Sequence, residues 1–381
     1  MTVKLRRFHL LKIICSHSEL SPTLASLYRI VPSRTNMPVL NGCLLTAEDQ
    51  NLVLQCSDLE LSLQITIPVQ VEEEGSAVVL AKHFSELVHR LPDEKINLSW
   101  SDQNNLIELK CGSLTSNIHT WNAEEFPLAE KKSLDYKINV QAKKWKRLIN
   151  KIIIAAAQQD IRANYAGVYI RFDNDQIQMV ATDAYRLALI KIQNDTDVSD
   201  CDIFIPARTL TEVNRLIADG DQLEISWDKG TIYFSANNFL LTSRLINLQF
   251  PNYEKIIPVE YEMKIEVPRE IMLTTLERAS IFIPENEHFA VSCLQVEGDR
   301  FIIKADAAEV GSLEEIIDLR EPAAHDCKAF FNVKYLLDPL QVLEQDQVTL
   351  CFNGSSGPAV YTEKGEDEYY LHLVSPVCRI S

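Results

Sequence analysis

An α+β architecture of three similar domains is what this 381-residue sequence predicts. Three observations carry it: a phrase written twice, a helix-and-strand cassette recurring about every 125 residues, and period-2 apolar alternation outweighing helical periodicity. The phrase is "CSDLELSLQI" from Cys56 to Ile65 and "ATDAYRLALI" from Ala181 to Ile190, which puts Asp58 and Asp183 in matching places.

Each unit opens with a helix-like stretch, at 21–31, 142–157 and 268–279. Alternating strands follow, over 52–69 and 167–192, and their wet-face/dry-face pattern predicts antiparallel sheets. A second helix comes next, at 82–91, 207–216 and 332–341. Then come matching strands, "INLSW" (96–100), "LEISW" (223–227) and "VTLCF" (348–352). Phe126-Pro127 and Phe250-Pro251 begin linkers over 126–138 and 250–265, and "ADAAE" at 305–309 is a faint third echo of the phrase. The predicted domains are 1–132, 133–260 and 261–381.

Composition narrows the function. The net charge of −17 and pI near 5.0, taken alone, argue against a nucleic-acid binder, which usually carries a basic patch. The nine cysteines are odd in number, with no CxxC spacing, so a disulfide framework or thiolate zinc site is not expected and a reducing cytoplasm is. The apolar run near the start is short and interrupted by Lys12, a poor signal peptide, and no stretch is long enough to predict a membrane span. Only 11 glycines are present and neither phosphate-loop nor dinucleotide fingerprints occur, which disfavours a nucleotide-hydrolysing or Rossmann enzyme.

The charge is unevenly spread. On a helix over 143–156, Trp145, Leu148, Ile149, Ile152, Ile153 and Ala156 share one face. Lys143, Lys144, Lys146, Arg147 and Lys151 spread over the rest, and no acid follows until Asp160. In the first unit Phe84, Leu87, Val88 and Leu91 form the apolar face, with Lys82, His83, His89 and Arg90 off it. The acids gather in "EEE" (72–74), "DTDVSDCD" (195–202) and "EKGEDE" (363–368), read as loops or strand edges. A solvated helix face explains one such helix; basic helices in two successive repeats point to a phosphate-facing surface inside an acidic shell.

No arrangement supports catalysis. The eight histidines are scattered and no G-x-S-x-G elbow exists. A metal-dependent hydrolase using Asp58, Glu60 and Asp183 would need bound divalent metal, but the second copy of the phrase has Tyr185 where the first has Glu60. A repeated Asp at a strand bend reads better as a turn device. No cofactor and no enzymatic activity are expected.

"VPSRTNMPVL" (31–40), "SDLELSL" (57–63), "ATDAYRLAL" (181–189), "FPNY" (250–253) and "LVSPVCRI" (373–380) resemble the bacterial DNA polymerase III beta subunit, the sliding-clamp family, over nearly the whole chain. The resemblance implies the DNA clamp fold: antiparallel sheets outside, helices lining a ring, and a head-to-tail homodimer of six similar domains. It implies a processivity factor in DNA replication that encircles double-stranded DNA and tethers the replicative DNA polymerase. Clamp-loader subunits and repair factors would share a peptide pocket. A second, diverged clamp serving repair, a plasmid or a phage is the alternative within the family.

The family's DNA-facing positions fall on Arg34, Lys82, Arg90, Arg147, Gln159, Arg162 and Arg208. Two positions that are aromatic in some clamps hold Ala163 and Asn164. The peptide pocket maps to Tyr165, Thr182, Ala184, Tyr185, Arg186, Leu187, Pro251, Lys255, Ile256, Pro376 and Val377, with Arg186 able to hold a polar or acidic tail. "DAYR" replaces the commoner Asp-Gly-His-Arg and Pro376-Val377-Cys378 departs from Met-Pro-Met, which shifts the expected peptide preference. The dimer seam pairs an edge near 113–120 with one near 309–316. Ser113, Thr115, Gly311 and Ser312 there carry no charge, so Leu114, Ile118, Ile281, Phe282 and Leu313 must supply apolar contact. The segment before 31 departs from the family spacing, by a loop or by a longer first helix.

Overall fold

The computed structural model describes residues 10–101, 105–128, 134–157, 162–282, 291–307 and 311–377. Strands outnumber helices among them. The first repeat holds β1 (Leu10–Ser16), β2 (Gly42–Glu48), β3 (Asn51–Ser57), β4 (Leu61–Pro68), β5 (Gln70–Glu73), β6 (Gly75–Leu80), β7 (Lys95–Ser101), β8 (Leu106–Cys111) and β9 (Leu114–Trp121). The second holds β10 (Tyr136–Gln141), β11 (Gly167–Phe172), β12 (Gln176–Thr182), β13 (Arg186–Gln193), β14 (Cys201–Pro206), β15 (Gln222–Trp227), β16 (Thr231–Ala236) and β17 (Phe239–Arg244). The third holds β18 (Met263–Pro268), β19 (Val291–Glu297), β20 (Arg300–Ala307), β21 (Gly311–Asp318), β22 (Cys327–Asn332), β23 (Gln347–Phe352), β24 (Ala359–Lys364) and β25 (Glu368–Val374).

Two helices serve each repeat: α1 (His17–Tyr28) and α2 (Ala81–His89), α3 (Ala142–Ile153) and α4 (Ala207–Leu216), α5 (Arg269–Ile281) and α6 (Val333–Val342). The helix expected from 21 starts at His17, because Ser16 caps it: its hydroxyl accepts the Glu19 N–H at 3.3 Å. The helix is thus shifted toward the N-terminus relative to the expected stretch and ends at Tyr28. At the other end, turn bonds from Ile30 to Leu27 and from Val31 to Tyr28 close the helix just before Pro32. Asn332 caps α6 in the same way, its Oδ1 accepting the Lys334 N–H at 3.0 Å.

The strands form three antiparallel sheets among the described residues. Thirteen strands run in the order β10-β15-β16-β17-β4-β3-β2-β6-β9-β8-β7-β1-β5; eight run β14-β11-β12-β13-β25-β24-β23-β18; four run β21-β20-β19-β22. Each sheet larger than four strands is shared between neighbouring repeats. β17 joins β4, with Leu241 opposite Leu63, and β25 joins β13, with Leu371 opposite Leu189. The chain accordingly divides into two compact units, 1–143 with 212–245, and 144–211 with 246–381. The second repeat contributes to both.

Alternation explains the cores. In the first unit Leu52 and Leu54 of β3, Leu63 and Ile65 of β4, Leu20, Leu24 and Leu27 of α1, and Phe84 and Val88 of α2 are buried, and α1 packs on α2. In the second unit Met272, Leu276 and Ala279 of α5 and Leu336 and Leu340 of α6 are buried where those two helices meet. The acids of "EEE" fall at an edge as expected: β5 closes one end of the large sheet, and Lys12 pairs with Glu72 at 2.8 Å.

Candidate functional site

The repeated phrase is one turn built twice. Asp58 Oδ1 accepts the N–H groups of Glu60 and Leu61 at 3.0 and 2.7 Å. Asp183 Oδ1 accepts those of Tyr185 and Arg186 at 2.9 and 3.0 Å. The hydroxyl before each Asp takes the next donor: Leu59 N–H to Ser57 Oγ at 3.1 Å, and Ala184 N–H to Thr182 Oγ1 at 3.1 Å. Leu59 and Ala184, each the residue after the Asp, have φ of 76° and 77°, a conformation that ordinarily takes glycine. Hydroxyl-then-Asp recurs because those side chains satisfy the donors the turn leaves open. The carboxylates of Asp58 and Asp183 are spent inside the turns, which removes the reason to read them as metal ligands.

Around the second turn the structure gathers most of the expected pocket residues. The Ser375 N–H donates to the Tyr185 carbonyl at 2.8 Å, and the Val377 N–H to Phe330 at 2.7 Å, fixing the segment that carries Pro376. Leu187 is buried in a cluster with Val180, Leu371, Leu373 and Tyr253. Phe250 stacks on Tyr169 at 5.1 Å and meets Phe204 edge-on at 5.2 Å, while the Tyr253 hydroxyl donates to Gln178 at 3.1 Å. Those anchors hold the stretch that presents Pro251, Lys255 and Ile256, the last two exposed. Tyr185 is 52% exposed and Ala184 is exposed beside it, whereas Thr182 is buried. Tyr165 sits half-buried in a short 3-10 turn, its carbonyl accepting the Ala157 N–H at 3.0 Å.

Arg186 differs from the expectation of a guanidinium waiting for an acidic tail. It is 7% exposed, its Nε donates to Asp183 Oδ2 at 3.0 Å, its Nη1 donates to Asp338 on α6, and its plane lies 4.3 Å from the Tyr335 ring centre. Burial pushes the Asp338 carboxyl above its ordinary range, outweighing the opposite pull of Arg186. Arg186 therefore ties the turn to α6. Asp338 and Tyr335 escaped the sequence reading; their signal is a Tyr and an Asp three apart on a predicted helix, with Lys334 one turn before the Asp.

The candidate DNA-facing cations sit in two kinds of environment. Lys82 on α2, Arg90 at the C-terminal cap of α2, Arg208 on α4, Arg34 and Arg162 are exposed. Gln159 lies outside the described residues. Arg147 on α3 is half-buried and donates to Glu344 at 3.1 Å and to Glu368. Lys151 corrects the solvated-face reading of α3: it is 1% exposed, bonded to Glu363 at 2.6 Å and Glu368 at 3.0 Å. The "EKGEDE" stretch is thus partly an internal counter-charge. One cation was missed. Lys82, Arg208 and Lys334 each occupy the second position of the second helix of their repeat, and all three are exposed.

The candidate seam residues lie on or beside open sheet edges. β9 pairs with β8 from Leu114 to His119, but with β6 only at Thr120 and Trp121. β21 is the end strand of its sheet. Leu114 is exposed, Ile281 is 70% exposed, and Ile118, Phe282 and Leu313 are half-buried. Phe282 lies against Gly311, about 3.8 Å from where a Cβ would stand.

Three profiles of the DNA polymerase III beta subunit match the chain: the N-terminal domain over 11–130, the central domain over 139–252 and the C-terminal domain over 254–377. The beta sliding clamp of Synechococcus elongatus is 28% identical over 374 residues, covering 96% of this chain and 99% of that protein. The DNA polymerase sliding clamp structure from Bacillus subtilis superposes with a TM-score of 0.88 at 27% identity, covering 97% of this chain and 100% of that one. A Pseudomonas aeruginosa sliding clamp bound to griselimycin superposes with a TM-score of 0.87 at 26% identity, covering 97% and 99%. With three consecutive domain matches, a fold shared from end to end and one turn built at matching places in successive repeats, this chain belongs to the DNA polymerase III beta subunit family.

Proposed function

We propose that the chain acts as a DNA polymerase processivity factor, a sliding clamp that holds the replicative polymerase on duplex DNA without catalysing a reaction itself. The observation that carries this reading is the recurrence of an exposed cation at the second position of α2, α4 and α6 in a chain of net charge −17. Steering of that kind suits a protein that tolerates phosphates at one surface and repels them elsewhere. Contacts from Lys82, Arg90, Arg208, Lys334, Arg34 and Arg162 are few and screened, so the duplex is retained by encirclement while remaining free to slide.

Encirclement needs a closed homodimer. The open stretch of β9 and the end strand β21 supply complementary edges, with Leu114, Ile118, Ile281, Phe282 and Leu313 as the apolar filling. The working domains are 1–132, 133–260 and 261–381. The surface around Thr182–Leu187, Pro251–Ile256 and Pro376-Val377 takes short peptides from the polymerase, clamp-loader subunits and repair factors in the cytoplasm, with Tyr165 at its margin and the clamp of Pseudomonas aeruginosa holding griselimycin as the parallel. Since Arg186 is already paired, apolar anchors rather than an acidic tail dominate recognition there. Loader treatment followed by gel filtration tests the function: the protein stays on nicked circular DNA and leaves linear DNA. Equal loss from both would remove the basis for topological retention.

A further inference from the structure

The joint between β13 and β25 that carries the proposed pocket has a twin. Where β17 meets β4, the Arg244 N–H donates to the Glu60 carbonyl at 2.9 Å, as the Ser375 N–H does to Tyr185 at 2.8 Å. Both joints are closed by the same Asp-anchored turn, with Leu59 and Ala184 at φ 76° and 77°. Beside the first joint is a cavity of about 240 Å³, lined by Leu59, Pro127, Leu128, Tyr233, Thr242 and Arg244 among others. That volume is below the roughly 300–1,000 Å³ of sites for drug-sized ligands, so it fits one side chain rather than a whole cofactor.

We propose that this cavity is a second docking site for a partner's extended peptide, taking one Leu- or Phe-sized anchor followed by an acidic residue. The inference rests on reading the second joint as a peptide pocket. The anchor follows from the lining, in which Leu59, Pro127, Leu128 and Tyr233 supply apolar surface beside Thr231, Thr242 and Ser243. The acidic residue follows from Arg244 at the mouth. Its Nη1 meets Glu60 Oε1 at 3.4 Å, and both side chains are about two-thirds exposed (64% and 68%). An exposed pair of that length holds its partners weakly, so the guanidinium fork can turn to an incoming carboxylate. The two joints also differ in selectivity. Leu61, buried, stands at the place of Arg186, so the first turn has no guanidinium tied to a neighbouring helix, and the cation sits at the rim.

The test is a titration of the full-length, methyl-labelled chain with acetyl-Leu-Phe-Asp, followed by NMR. Leu59 and Leu128 methyls report the first joint; Leu187 and Ile256 methyls report the second. Saturable shifts at Leu59 and Leu128 are expected, with the dissociation constant raised about tenfold in Arg244→Ala and for acetyl-Leu-Phe-Asn. Leu59 and Leu128 methyls that stay still while Leu187 and Ile256 move would overturn this site and leave the proposed function standing. Movement at Leu59 and Leu128 alone would support the site and count against the second joint as a pocket. Equal affinity for the Asn peptide would overturn the role of Arg244.

Discussion

The Lys151 ammonium lies 2.6 Å from the Glu363 carboxylate, with both side chains more than nine-tenths shielded from solvent. Glu363 spends its other oxygen on the N–H groups of Glu344 and Gln345, at 2.9 and 3.0 Å, so this pair ties α3 to the β24–β25 hairpin and to the end of α6. Lys151→Ala strands a buried carboxylate and is expected to lower stability by about 3–5 kcal/mol, whereas Lys151→Met combined with Glu363→Gln recovers most of it. Urea denaturation of the three proteins checks this; a single mutant as stable as the parent would show that the pair is not closed in solution.

The same pair sets a pH window. Burial alone disfavours both charges, yet the hydrogen bonds and charge between them leave Lys151 raised and Glu363 lowered relative to their ordinary values. The Glu363 contribution is present above its unfolded value and fades as pH falls through its lower folded value. The Lys151 contribution is present below its unfolded value and fades as pH climbs through its higher folded one. His372 acts in the first direction and more steeply. Burial, with help from the charge of Arg186, pushes its imidazole down to about 3. The Tyr370 hydroxyl donates to the Lys151 carbonyl at 3.2 Å and so accepts from His372 Nδ1 at 3.2 Å, which places the proton of the neutral ring on Nδ1. Stability from this residue is complete above the unfolded value near 6.5 and drains as pH falls toward 3, by up to about 1.4 kcal/mol per pH unit. His372→Gln is expected to flatten the stability profile between pH 6 and 4 by about one proton, measured by denaturant midpoints at each pH.

Ala184 pays for a conformation that glycine adopts freely. With φ at 77°, its Cβ is strained, and Ala184→Gly is expected to raise stability by up to about 1 kcal/mol even after the added freedom of the unfolded chain is subtracted. Leu59→Gly relieves the same strain at 76°. Calorimetry on the single and double variants checks both; a drop in melting temperature for Ala184→Gly would mean its methyl makes a packing contribution larger than the strain.

Cations of the two environments are expected to separate by assay. Lys82→Ala, Arg208→Ala and Lys334→Ala leave thermal stability within about 0.5 kcal/mol of the parent and each lower the slope of log affinity against log salt for duplex DNA by about one unit. Arg147→Ala reverses the pattern. Its guanidinium is held by Glu344 and Glu368, so its removal costs stability first and the salt slope least. Filter binding across a salt series, alongside calorimetry, discriminates the two sets.

Periodicity and repetition made the architecture readable. The helix at 207–216 was placed to the residue, and the strand patterns at 96–100, 223–227 and 348–352 each came within a residue of β7, β15 and β23, because alternation survives wherever one face is buried. The start of α1 was missed since Ser16 acts as a cap from inside an apolar run. The turn at Asp58 and Asp183 was legible as a turn, since its donors are satisfied by residues two and three along. Long-range pairing was not legible. Nothing local distinguishes Lys151 from Lys144, yet one is buried against Glu363 and the other exposed. Arg186 likewise reads as available until Asp338, 152 positions away, is seen to hold it.

The unpaired stretch of β9 and the end strand β21 are different surfaces on one chain, and that difference has a consequence for assembly. If the first edge of one molecule takes the second edge of another, every such union still leaves one edge of each kind unspent. Two molecules either close on themselves or go on adding copies, so a substitution that alters the angle at this contact, without weakening it, would turn a finite particle into a growing filament.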